Sequence, residues 1–188
     1  CQLADMKQAI PSDLKILDVD GDGQKDRAYV GDVAGQLWRV DLLGWQKNVD
    51  NQYEDLTLCG RLANVSSAGD ENQRRFFYPP ASASTLDGLD VVALGSGTRP
   101  FPTSRDVANR FYVFFDQGWA PGANNEQVLS TITESNLWEI GTERADNTKG
   151  WYLKLPHPGE KSLGSPVIVP DKQVILFTTY TPPLQEEG

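Results

Sequence analysis

Two stretches of this chain are written to one plan. Arg27-Ala28-Tyr29-Val30-Gly31 is an apolar strand ending in Gly. The turn Asp32-Val33-Ala34-Gly35 leads into a second strand, Gln36 to Leu42, with Asp41 near its end. Asp90-Val91-Val92-Ala93-Leu94-Gly95 repeats the first strand, and Arg110 to Asp116 repeats the second after a Gly/Pro-rich turn from Ser96 to Pro102. A weaker third copy runs through Pro166 to Val169 and Gln173 to Thr179, so that the copies lie roughly 60 to 75 residues apart. A hairpin repeated in fixed order buries its faces by stacking on its neighbours. The pattern predicts an all-β chain of about three propeller blades. The spacing exceeds the ~40–50 residues of plain propeller repeats, so the insertions are long. In the first copy Trp38, Val40 and Leu42 share one strand face and Leu37 lies on the other.

Between the strand Leu14 to Leu17 and the strand opening at Arg27 lies Asp18-Val19-Asp20-Gly21-Asp22-Gly23-Gln24-Lys25-Asp26. Carboxylates fall at loop positions 1, 3, 5 and 9, with Gly23 at position 6. That is the spacing by which a short loop wraps an ion, and position 7, Gln24, supplies a backbone carbonyl. Oxygen-only ligands select a hard cation, and calcium is the first choice. Without an ion, four carboxylates in nine residues repel one another. An EF-hand would carry Glu at position 12 and continue as a helix, whereas here position 12 is Tyr29 and a strand follows. The expected device is a calcium clip on a hairpin, with ligands Asp18, Asp20, Asp22, the Gln24 carbonyl and Asp26. Without the bidentate Glu, its expected affinity is that of extracellular modules, roughly 10⁻⁴–10⁻³ M.

Composition excludes several classes. The formal net charge is −9, and no basic run offers a face to a phosphate backbone, so nucleic acid is not an expected partner. No apolar stretch approaches the ~18 residues of a membrane span. The two cysteines, Cys1 and Cys59, are too few for a disulfide scaffold. They can pair with each other, pair outside this chain or stay free. The chain begins without Met and reads as part of a longer protein.

Residues 43–75 are polar and less regular, with Leu56 to Cys59 as a strand and Val65 to Arg75 as an exposed loop. Phe76-Phe77-Tyr78-Pro79-Pro80 is an aromatic knob that packs at a core edge. Asn125 to Glu134 reads as a short helix with Val128, Leu129 and Ile132 on one face. Trp151 to Leu155 is a further strand. Catalytic signatures are missing from the sequence. His157, the only histidine, sits between two prolines, and neither GxSxG nor a P-loop is present. Gly95-Ser96-Gly97-Thr98-Arg99 lies between strands and reads as a turn rather than an anion site. Asp87 and Asp90 are close in sequence, but no acid–base geometry follows from that.

The run Asp18 to Asp32, then Gly35 to Leu42, resembles the C-terminal propeller of the PilC/PilY family of bacterial type IV pilus proteins. Three later blocks agree in order. They are Leu94 to Arg99 with Asn109 to Val113, Ile132 to Leu137, and Gly150-Trp151-Tyr152 through Ser165-Pro166 to Phe177-Thr178-Thr179-Tyr180-Thr181-Pro182. The resemblance implies a modified quinoprotein-like β-propeller with one calcium site. It implies a non-enzymatic role in pilus biogenesis, in the balance of extension and retraction, in twitching motility and in surface adhesion and virulence. The implied location is extracellular, at the pilus tip (fimbrium) or outer cell surface. The implied partners are minor or major pilins, the remaining blades of the same protein, and a host or abiotic surface. The family's adhesive N-terminal region has no counterpart in this chain, and the Arg-Gly-Asp motif of some members is absent. Three hairpin units do not close a ring, so residues 1–188 are expected to be part of a single propeller domain, incomplete without further chain or an assembly.

Two other functions fit the same features. One is a calcium-stiffened adhesion propeller of the integrin type. The other is a fragment of a quinone-dependent dehydrogenase, against which stand the self-contained calcium loop and the missing adjacent Cys-Cys pair.

Overall fold

The structure, a computed structural model, describes residues 3–66, 73–85, 89–122 and 127–184. The first blade is a sheet of five strands. β1 (Lys15–Leu17), β2 (Arg27–Gly31) and β3 (Gln36–Asp41) run as an antiparallel meander. A hairpin of β4 (Trp45–Lys47) and β5 (Tyr53–Asp55) intervenes, and β6 (Leu58–Asn64) then pairs antiparallel with β3. The second blade repeats this order with β7 (Ala81–Ser84), β8 (Asp90–Gly95) and β9 (Arg110–Asp116). The short hairpin of β10 (Ala120–Pro121) and β11 (Gln127–Val128) follows, with β12 (Ile132–Thr133) and β13 (Trp138–Glu139) next, before β14 (Gly150–Lys154) pairs with β9.

β12 and β13 close both blades. β12 adds parallel to β6, and β13 adds parallel to β14. One short segment thus covers two residues at the outer edge of each sheet, where unpaired N–H and C=O groups would otherwise be exposed. This corrects the expected helix over 125–134. Residues 125 and 126 lie outside the described residues, and 127–133 hold β11 and β12. A 3-10 turn, Glu134–Asn136, joins β12 to β13. Among the described residues there is no α-helix, and none is long and apolar enough to cross a membrane.

The alternation of side chains stacks the sheets. From the second blade Val92, Leu94, Tyr112 and Phe114 point toward the first, where they meet Tyr29, Leu37, Leu62 and Phe76. Ala93, Phe111 and Val113 point the other way, onto Ile168 and Ile175 of a third hairpin. That hairpin pairs β15 (Val167–Val169) with β16 (Val174–Leu176). Phe111 stacks on Phe177 with ring centres 3.8 Å apart. The strands of this third unit are shorter than the sequence pattern suggested.

Several local readings change. The register of β3 on β6 slips between Leu37 and Trp38, so that Leu37 faces Ala63 while Trp38 faces Arg61. Leu62 is the extra residue of this bulge, and it joins Ala63 in the core between the blades. Leu37 and Trp38 are therefore both buried, on opposite faces, while Leu42 lies beyond β3 and is exposed. Phe76 is not at an edge: it is fully buried between the blades, edge-on to Tyr112. Cys59, in β6, is disulfide-bonded, and Cys1 lies outside the described residues. Asp87 and residues 67–72 of the expected 65–75 loop also fall outside them, whereas Val65 and Arg74, which flank that stretch, are buried.

Candidate metal centre

The loop Asp18 to Asp26 joins β1 to β2, and the hairpin is closed just before it by the Leu17–Arg27 pair. The Asp26 amide donates to the Leu17 carbonyl at 2.9 Å, so the loop starts and ends at one rung of the ladder. Inside it, carboxylates are held by backbone N–H groups. Asp18 accepts from Gly21 at 2.7 Å and from Gly23 at 2.8 Å, one bond to each oxygen. Asp20 accepts from the Asp22 amide, and Asp22 accepts from the Gln24 amide and from the Gln24 side chain. Two left-handed residues, Gly21 (φ 79°) and Gly23 (φ 92°), turn the chain tightly enough for this.

Asp18, Asp20 and Asp22 come together, with one oxygen from each within 4.8 Å of the others. Asp26 is placed differently. Its Oδ2 accepts from the Val19 amide at 2.6 Å, which ties the two ends of the loop. A carboxylate has a second oxygen to offer, so this bond leaves Asp26 able to serve as a ligand. The donor set is all oxygen and carries four negative charges, which fits a hard divalent cation such as calcium. Three of the five expected ligand residues thus form a group, and Gln24 and Asp26 flank it.

Directly after the loop, the two blades are clasped by a buried ionic network. Arg27 Nε lies 2.5 Å from Asp41 Oδ1, and its Nη1 lies 2.5 Å from Asp90 Oδ2 in the second blade. Arg39 donates to Asp41 in its own sheet and, through Nη1 at 2.7 Å, to Asp116 across the interface. The Tyr29 hydroxyl sits 2.9 Å from Asp90 and 2.6 Å from Asp116. Trp119, just past β9, donates its indole N–H back to Asp41. Ser84 Oγ completes Asp90, and the Gly118 amide completes Asp116.

This network shifts its own protonation. Burial pushes the Asp90 carboxyl up, but bonds from Ser84, Arg27 and Tyr29 outweigh it and hold it below the usual carboxylate range. Asp41 is likewise raised by burial and brought down overall by Arg27, Arg39 and Trp119. Burial, with the Asp116 and Asp90 charges, drives the Tyr29 phenol far above its ordinary value. Sequence reasoning saw the Asp that ends each second strand but gave it no partner. Asp41 and Asp116 are those residues, and the blades meet on them.

A smaller cluster lies along the segment that covers the outer edges. Glu134, in the 3-10 turn, accepts from the buried Tyr112 hydroxyl and pairs with Arg110 at 2.5 Å and Arg74 at 3.4 Å. His157 is exposed in its loop, as expected.

No family model and no curated protein matches the chain. Among solved structures it is similar to the C-terminal domain of PilY1 from Pseudomonas aeruginosa, with a TM-score of 0.65 and 20% sequence identity. The match covers 90% of this chain and 44% of that one, so this chain spans less than half the length of the structure it resembles. The likeness establishes the fold, which is that of a β-propeller fragment.

Proposed function

We propose that this chain is part of a calcium-binding, non-enzymatic propeller of the PilC/PilY type. It acts in a type IV pilus at the bacterial surface, in pilus assembly, twitching motility and adhesion. The observation that carries the reading is the Asp18–Asp26 loop, whose three gathered carboxylates clip the first hairpin of a chain folded like the PilY1 C-terminal domain. Asp18, Asp20, Asp22, the Gln24 carbonyl and Asp26 hold the ion. Bound calcium supplies positive charge that removes the repulsion among these carboxylates and fixes the loop. The disulfide at Cys59 suits an oxidising compartment outside the cytosol. Partners are the pilins and the remaining blades of the propeller, and the surface contacted is that of a host or an inert solid.

Energetically, an ion at 100 times its dissociation constant stabilises the state that binds it by about 2.7 kcal/mol. That suffices to shift a two-state balance strongly. The test is a piliated bacterium whose protein carries Asp26→Ala. The expected result is a folded protein with altered surface piliation and twitching. Normal piliation and twitching alongside lowered thermal stability would overturn the regulatory role and favour a calcium that only stiffens blades.

A further inference from the structure

We propose that Arg27 is the positioning residue through which the state of the Asp18–Asp26 loop reaches the second blade. The inference rests on the calcium reading of that loop. Arg27 directly follows the last loop carboxylate and opens β2. Asp26, at the junction, is fixed on three sides. Its amide donates to the Leu17 carbonyl, its carbonyl accepts from the Leu42 amide at 2.7 Å, and its carboxylate accepts from the Val19 amide. The bonds that set the end of the loop therefore also set the base of the Arg27 side chain.

Arg27 then forks between sheets, with Nε on Asp41 and Nη1 on Asp90. A guanidinium is a planar, rigid fork, so both bonds depend on where its base is held. Arg27 is also the most exposed of the charged members of the clasp. Its side chain is 19% exposed, against 4% or less for Asp41, Asp90, Arg39 and Asp116. Among the charged members it is the one placed to exchange a protein partner for water. Asp90, in contrast, is almost fully buried and holds β8 through Ser84 on β7. Calcium draws the loop carboxylates toward one point, fixes Asp26 and seats the fork. Without the ion their mutual repulsion loosens the base of β2, and the fork frays on its wet side. By linkage, seating the fork must in turn tighten calcium binding.

The test is amide hydrogen exchange of the whole protein with and without calcium, beside calorimetric titration. Calcium is expected to slow exchange in the loop and also in β8 and β9, by about fivefold or more. Arg27→Lys replaces the rigid planar fork by a point charge on a flexible stem, which no longer ties both carboxylates to the base of β2 in one fixed geometry. This variant is expected to bind one calcium ion and protect the loop, but to lose the response in β8 and β9. Asp90→Asn, which removes the charge that Arg27 pairs with on the other blade, is expected to give the same result should Arg27→Lys not fold. Calcium binding that leaves β8 and β9 unchanged in the unaltered protein overturns the inference while the loop reading stands. A full response in either variant does the same. Absence of calcium binding by the unaltered protein overturns both.

Discussion

Replacing Tyr29 by Phe isolates one bond of the clasp between the blades. Tyr29 is fully buried, and its hydroxyl touches Asp90 and Asp116. A phenol carries one proton, so only one of the two contacts is a donated bond at any instant. A hydrogen bond to a charged group contributes about 1.5–3 kcal/mol. The larger cost of orphaning a buried charge, about 3–5 kcal/mol, is not reached. Asp90 keeps Arg27 and Ser84, and Asp116 keeps Arg39 and the Gly118 amide. Phe retains the ring, so no cavity opens. Tyr29→Phe should therefore cost about 1.5–3 kcal/mol near neutral pH. In urea this lowers the unfolding midpoint by roughly 1 M, with the slope unchanged. The pH dependence carries a sign. The folded-state phenol pKa is raised, first by burial and then by Asp116 and Asp90. Its contribution is fully present below the unfolded value of about 10 and declines as pH rises above it. Tyr29→Phe lacks this contribution, so the gap between the two proteins should narrow above about pH 10. Equal midpoints at pH 7, or a gap that stays constant into alkali, would refute the reasoning.

Three further outcomes follow from the packing. Gly150 has φ +136°, and a side chain there would run into the Val113 carbonyl; Gly150→Ala should cost more than about 2 kcal/mol by thermal unfolding, by breaking the β14–β9 ladder. Lys161 is buried, with Nζ donating to the carbonyls of Pro102, Ser104 and Gly159 at 2.7 Å each; Lys161→Met leaves three carbonyls short of a donor and should cost about 3 kcal/mol or more in urea titration. Asp41 and Asp90 have lowered folded-state pKa values, so their contribution is present above the unfolded value of about 4 and is lost as pH falls below it; an acid titration of stability should fall there, and less steeply in Asp90→Asn.

The parts of this fold legible in the sequence were those written locally. The apolar strand that ends in Gly31 or Gly95, and its partner that ends in Asp41 or Asp116, are short local runs repeated in one order, and they became the central strands of two blades. The acidic loop was legible because its spacing is self-contained. The segment 127–134 misled because Val128, Leu129 and Ile132 match a helical spacing. Ile132 instead pairs with Ala63 on the free edge of β6, and Leu129 packs on the core, neither of which a local window contains. The clasp was hidden for the same reason. Arg39 and Asp116 lie 77 positions apart, and only the stacking of blades brings them within 2.7 Å. Each strand-ending Asp looked like punctuation until its partner arrived from the other sheet.

Calcium titration by calorimetry, on the unaltered protein and on Asp20→Ala, tests the central claim most directly. Asp20 belongs to the gathered trio, and the side-chain bond seen for it is local, to the Asp22 amide. The expected result is saturable binding of one ion, with a dissociation constant of roughly 10⁻⁴–10⁻³ M or tighter, abolished in the variant. No binding by the unaltered protein, or equal binding by Asp20→Ala, would contradict the assignment of the Asp18–Asp26 loop as a metal centre.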